Sequence, residues 1–204
     1  MKKLTVLLFA IVLAFSMTGM AGATYFAGAP SPSLDPVFGT LVNFDDKATG
    51  TEVLWNDYVS VGVASITETS GIGHIWRYDG SQSQPNYVGT LADNGWDGTI
   101  LIEFVGFADK VGIGVADGAA GLEYIYAFDS SMTLLEQYTV PIGSNVYAGI
   151  ERAAFDIKYF QITGDYFAID DLQFRTSVPE PATMLLLASG LVGLAGLRMK
   201  LHKN

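Results

Sequence analysis

From residue 37 to residue 176 short apolar runs rich in Val, Ile, Tyr, Phe and Thr alternate with clusters of Gly, Asp, Asn and Ser, the pattern of many strands joined by turns. It predicts strands at Val37–Phe44, Tyr58–Thr67, Ile75–Tyr78, Thr99–Phe107, Lys110–Ala116, Leu122–Phe128, Leu134–Val140, Phe155–Ile162 and Tyr166–Phe174. Ile100, Ile102 and Phe104 share one face, opposite Leu101, Glu103 and Val105. Val111, Ile113 and Val115 alternate with glycine or alanine, and a change of face near Phe160 asks for a bulge. Asn94-Gly95, Asp97-Gly98, Asp117-Gly118 and Gly164-Asp165 mark turns, because these residues tolerate positive φ.

No amphipathic helix of useful length interrupts the strands, so parallel crossovers are excluded and the chain reads as all-β: an antiparallel two-sheet β-sandwich, a jelly roll, over 37–176. Residues 24–36, with three prolines, read as an extended lead-in. The two ends follow other patterns. Lys2 and Lys3, the apolar run Leu4–Phe15 and the small residues Ala21-Gly22-Ala23 have the three-part layout of a signal peptide, 1–23, cut by signal peptidase after Ala23. At the other end 177–181 form a linker, since two prolines remove backbone donors and favour extended chain. In 182–204 an uncharged stretch from Ala182 to Leu197 precedes Arg198, Lys200 and Lys203. At 1.5 Å per residue that stretch spans about 24 Å, and snorkelling basic residues extend it toward the ~30 Å of a bilayer core. One transmembrane helix with a cytoplasmic basic tail is the expectation.

Charge narrows the function. Residues 24–177 hold 6 basic and 20 acidic groups, a net of −14, which excludes nucleic acid as a partner because nothing neutralises phosphates. Half of the residues are hydrophobic and 12% aromatic, so a packed core is affordable despite the charge. Cysteine is absent, which excludes disulfides, thiolate catalysis and thiolate-bound zinc.

The C-terminal arrangement of Pro179-Glu180-Pro181, a short hydrophobic segment and the basic residues Arg198, Lys200 and Lys203 resembles the PEP-CTERM sorting signal of Gram-negative bacteria that make exopolysaccharide. Met199 and Leu201 interrupt the basic cluster where family members often carry consecutive arginines. The resemblance implies an exosortase as processing partner, transient anchoring by the C-terminal helix, and a destination at the cell surface or in the extracellular matrix. The body bears a second resemblance. Val42-Asn43-Phe44-Asp45-Asp46 is similar to the opening, and Phe167-Ala168-Ile169-Asp170-Asp171-Leu172-Gln173-Phe174 to the closing strand, of carbohydrate-binding-module-like jelly rolls. That resemblance implies first and last strands side by side and a structural Ca²⁺ held by Asp45 or Asp46 with Asp170 or Asp171, Glu52 being a further candidate. Calcium suits such a set because it accepts hard oxygen ligands, carbonyls included.

Catalytic residues are not expected. His74 is the body's one histidine, and no G-x-S-x-G elbow accompanies it. Candidates for stacking on sugar rings are Trp55, Trp76 and Trp96, the last in the turn-dense stretch Asp93-Asn94-Gly95-Trp96-Asp97-Gly98. The leading expectation is a non-enzymatic exported surface protein that interacts with extracellular polysaccharide. Two alternatives stay open: a secreted glycan hydrolase or lyase using clustered carboxylates, and a purely structural or adhesive protein.

Overall fold

A computed structural model of the chain describes residues 23–28, 38–69, 75–79, 86–90, 98–117, 122–140, 146–164 and 167–177. Through them run β1 (Thr24–Gly28), β2 (Thr40–Val42), β3 (Val63–Glu68), β4 (Ile75–Asp79), β5 (Asn86–Thr90), β6 (Gly98–Asp117), β7 (Glu123–Phe128), β8 (Leu134–Val140), β9 (Val146–Glu151), β10 (Ile157–Gly164) and β11 (Phe167–Thr176). All pairings are antiparallel. Among the described residues the one helical element is a 3₁₀ turn at Val59–Val61, and no helix is long and apolar enough to cross a membrane. Ala21, Trp96, His74, the Pro-Glu-Pro triplet and the segment 182–204 lie outside the described residues.

The organising element is β6. Sequence separates Thr99–Phe107 from Lys110–Ala116, but the two are one strand of 20 residues. No Asn-Gly or Asp-Gly pair stands between them to close a hairpin, so the chain continues and changes neighbours instead. Its first part pairs with β3 and β10, and its second part with β11 and β9. One ladder therefore runs β3-β6-β10-β7-β8 and the other β1-β9-β6-β11-β5-β4, with β2 beside β5 on the edge of β11. The two ladders form a single connected sheet through β6.

Burial follows this division. In the first part of β6 Ile100, Ile102 and Phe104 are buried, while Val105 is exposed, as alternation demands. From Val111 to Val115 every residue is buried, as are Phe167–Phe174 of β11 and Tyr147–Ile150 of β9. One buried apolar cluster holds side chains from both ladders, and the rings of Phe104 and Phe174 meet across them at 4.9 Å.

The register explains several departures from the sequence reading. The expected lead-in contains β1, which pairs with β9 from Thr24↔Glu151 to Gly28↔Tyr147. β5 and β9 escape a hydrophobic scan because Gly89, Gly149 and Ala148 dilute their apolar pattern. The expected strand at Tyr58 begins only at Val63, since the chain first makes the 3₁₀ turn and leaves it through Gly62 at φ 105. The face change lies between Ile157 and Tyr159, as a register shift against β6. The opening β2 does lie beside the closing β11, with Val42 opposite Leu172. Gly39, at φ +66, permits that contact: a Cβ there would sit 2.0 Å from the Phe174 carbonyl oxygen.

Candidate functional site

The segment after β2 is held by local hydrogen bonds before it reaches any site. Asn43 and Asp45 close a small turn, with Asn43 Nδ2 donating to Asp45 Oδ2 at 2.9 Å, and Phe44 takes φ 57 so that its ring enters the core against Tyr58. Residues 50–53 then lie along the free edge of β4: Gly50 N donates to Arg77 O at 2.8 Å, and Val53 N to Ile75 O at 2.8 Å. Leu54–Asp57 turns back on itself, with Asp57 N donating to Leu54 O at 3.1 Å and Leu54 N to Asp57 Oδ2 at 3.0 Å. Ile66 N of β3 finally donates to Trp55 O at 3.1 Å. The backbone under Trp55 is thus fastened to both ladders.

Arg77 is the centre of this construction. It follows Ile75 on the inward face of β4 and is fully buried. Nη1 donates to Glu52 O at 3.0 Å, and Nη2 to Tyr58 Oη at 2.8 Å and Asp57 Oδ2 at 3.3 Å. The Tyr58 hydroxyl in turn donates to Asp46 Oδ1 at 2.7 Å. Burial, reinforced by that bond to Asp46, pushes the Tyr58 hydroxyl pKa far up, so it remains a donor. Burial also opposes ionisation of Asp57, but hydrogen bonds from Lys47, the Leu54 amide and Arg77 outweigh it and hold its carboxyl below the usual range. Sequence reasoning passed over Arg77. The available signal was a cation two residues from a core isoleucine, in a strand of period two.

Above this support opens a cleft of about 250 Å³, lined by Glu52, Leu54, Trp55, Ile66, Glu68 and Ile75 among others. It lies between the edge strands of the two ladders. Trp55 is 62% exposed on its rim, a large apolar surface on a fixed turn. Glu68 Oε1 accepts from Thr99 N at 2.9 Å, which orients that carboxylate and ties β3 to the start of β6. An exposed indole on the rim of a cleft offers a flat face for the C–H side of a sugar ring.

The other expected residues are dispersed. Trp76 is half-buried on β4, opposite Gly89 of β5 and bridged by backbone to Glu52, but it does not line the cleft. The four aspartates divide. Asp46 belongs to the Arg77 network, whereas Asp45 accepts from Asn86 N at 2.9 Å. Asp170 and Asp171 are fully buried on β11, where Asp171 takes φ 48 and donates its amide to Asp170 Oδ1 at 2.8 Å. Pairing of Leu172 with Val42 and of Ile169 with Val88 brings Asp45 and Asn86 toward these two carboxylates. Among the described residues no three acidic or histidine side chains form a group able to hold a metal ion, so carboxylates alone make no calcium cage. Glu52, the further candidate, lines the Trp55 cleft instead.

Comparison with known proteins bears on the end of the chain. Residues 177–200 match the PEP-CTERM protein-sorting motif. The match begins at Ser177, directly after β11, and takes in the Pro-Glu-Pro triplet, Arg198 and Lys200. A PEP-CTERM motif implies export and processing by an exosortase. No curated protein matches the chain in sequence. Distant structural likenesses include the enzymatically active domain of tailspike protein 4 from bacteriophage CBA120, at 11% identity and a TM-score of 0.36 over 54% of this chain, which spans 19% of the tailspike chain. They also include the K1 and K2 cleaved adhesin domains of Lys-gingipain, K1 being from Porphyromonas gingivalis, at 13% and 14% identity and TM-scores of 0.36 and 0.33. Each of these covers 76% of this chain and 99% of its own. Scores at that level do not establish a shared fold.

Proposed function

We propose that this is an exported cell-surface or matrix protein, processed by an exosortase, whose non-enzymatic body interacts with extracellular polysaccharide or other envelope glycans. The observation that carries this reading is the sorting motif at 177–200, placed immediately after the closing strand. Signal peptidase acts after Ala23, and Pro179-Glu180-Pro181, whose prolines favour extended chain, is the stretch that the exosortase reads. The body is read as a jelly-roll sandwich, a reading supported by two ladders that share β6 and one core. Glycan is taken at the Trp55 cleft. A structural Ca²⁺ at Asp170 and Asp171, beside Asp45, is part of the proposal and relies on backbone carbonyl oxygens to complete its shell.

Replacing Pro179, Glu180 and Pro181 together with alanine tests the sorting step. Export continues, but the body stays with the membrane fraction; unchanged release into the medium contradicts the reading. A second reading, a glycan hydrolase or lyase, draws support from the two carboxylates on the cleft. Binding of the released body to exopolysaccharide without release of reducing ends favours the binding module, and turnover lost with Glu52→Gln favours the enzyme.

A further inference from the structure

β3, β9, β10 and β11 all start or stop against residues 104–110 of β6, where it passes from one ladder into the other; we propose that this end of the body, the bend of β6, rests on the membrane surface while the C-terminal segment is still attached. The point of exit fixes the geometry. Ser177, the last described residue, donates its amide to Phe107 O at 3.1 Å, so the described chain ends at the bend itself. Four residues separate Ser177 from Ala182, where the uncharged stretch begins, and extended chain covers at most about 18 Å over that distance. The proposal rests on the reading that this stretch lies in the membrane; given that reading, the bend cannot be far from lipid.

What the bend presents fits such a neighbour. Val105 and Phe107 on β6 are 56% and 39% exposed, and Val61, whose neighbour Gly62 accepts from Val105 N, is also exposed. Phe155 precedes Ile157, the partner of Ala108, and Met132 and Leu134 lie at the β7–β8 turn beside Phe128, which shares Tyr159 as a neighbour with Glu103. All three are exposed. Large apolar side chains that hold no core position, gathered at one end, are the mark of an interaction surface.

Charge points the same way. Of the six basic residues in 24–177, Lys110, Arg152, Lys158 and Arg175 belong to this end. Arg175 forks onto Asp109 with two bonds of 2.8 Å, Lys110 meets Glu151 at 2.9 Å, and Lys158 caps the carbonyl oxygen of Phe104 at the bend. Their ion-pair partners Glu103, Asp109, Glu136, Glu151 and Asp156 lie at the same end, which is therefore close to neutral, and in a body of net −14 that anionic lipid repels the nearly neutral end is the one that approaches at least cost. The Trp55 cleft, on the edge strands, then remains open to glycan while the protein awaits processing.

The absence of cysteine makes the test direct, because one introduced cysteine gives one label. Full-length variants Phe107→Cys, Phe155→Cys, Leu122→Cys and Gly190→Cys are labelled with a fluorophore and reconstituted into vesicles of phosphatidylethanolamine and phosphatidylglycerol carrying nitroxide lipid. Leu122 is an equally exposed apolar residue at the start of β7, the opposite end of that ladder. Quenching at 107, 155 and 190 with none at 122 is the expected result. Quenching at 190 alone overturns the docked end and leaves the sorting reading intact. No quenching at 190 overturns the membrane reading and the docked end together, and equal quenching at 107 and 122 shows indiscriminate adsorption, which also overturns it.

Discussion

The two parts of β6 are the same strand under different rules. Between Ile100 and Val105 one face is buried and the other, Leu101, Glu103 and Val105, is partly or fully exposed, so burial alternates from residue to residue. Between Val111 and Val115 both faces are covered, and Gly112 and Gly114 occupy the second face. Polar groups buried there are held rather than excluded: Tyr147 Oη donates to Asp171 O at 3.3 Å, and Gln173 Oε1 accepts from Phe38 N at 3.2 Å. Burial, followed by the charge of Asp171, raises the Tyr147 hydroxyl pKa and keeps it a donor. Position along one strand, not strand identity, decides what a substitution costs.

The sharpest way to break that comparison is to truncate across it. Phe104→Ala removes a ring shared by both ladders and is expected to cost about 3–5 kcal/mol, whereas Leu101→Ala on the half-buried face is expected to cost only about 1 kcal/mol. Urea melts of the two variants check it; equal losses would erase the distinction between faces.

Next in size is the loop that carries the cleft. Arg77→Met leaves Asp57 without its buried partner and is expected to cost about 3 kcal/mol, with the turn under Trp55 loosened. Glycan affinity measured beside stability separates the two effects, because Trp55→Ala should abolish binding with little change in melting.

A smaller effect comes from acid. Hydrogen bonds from Lys110, with its charge and that of Arg175, outweigh burial and hold the Glu151 carboxyl below its usual range, and Asp57 is depressed as well. A depressed carboxyl contributes stability that is complete above its ordinary pKa, 4.5 for Glu151 and 3.8 for Asp57, and that drains as pH falls through the lower folded value. Chemical denaturation at descending pH should show this loss, with a shallower slope in Asp57→Asn. The smallest expected shift is a modest rise of the melting temperature in millimolar calcium, abolished by Asp171→Ala. A melt indifferent to calcium removes the cation from the account.

Much of the core was legible because alternation is a local property. Ile100, Ile102, Phe104, Val111, Ile113 and Val115 all reach the interior that their spacing indicates. What stayed hidden depends on partners distant in sequence. Nothing local shows that β6 continues past Phe107, that Thr24–Gly28 finds β9, or that Asp170 and Asp171 lie under cover rather than at an edge. Trp55 could be named as a ligand-binding candidate from its residue type, but the cleft beside it arises from Glu68, thirteen positions on, and from the Arg77 support beneath.

The most direct test of the central claim is the intact mass, with terminal sequencing, of the protein released by cells that carry an exosortase. The account predicts a chain that begins at Thr24 and has lost the apolar stretch from Ala182 to Leu197, and no released chain when the exosortase is deleted. A released protein that still carries that stretch, or release that does not depend on the exosortase, would contradict it.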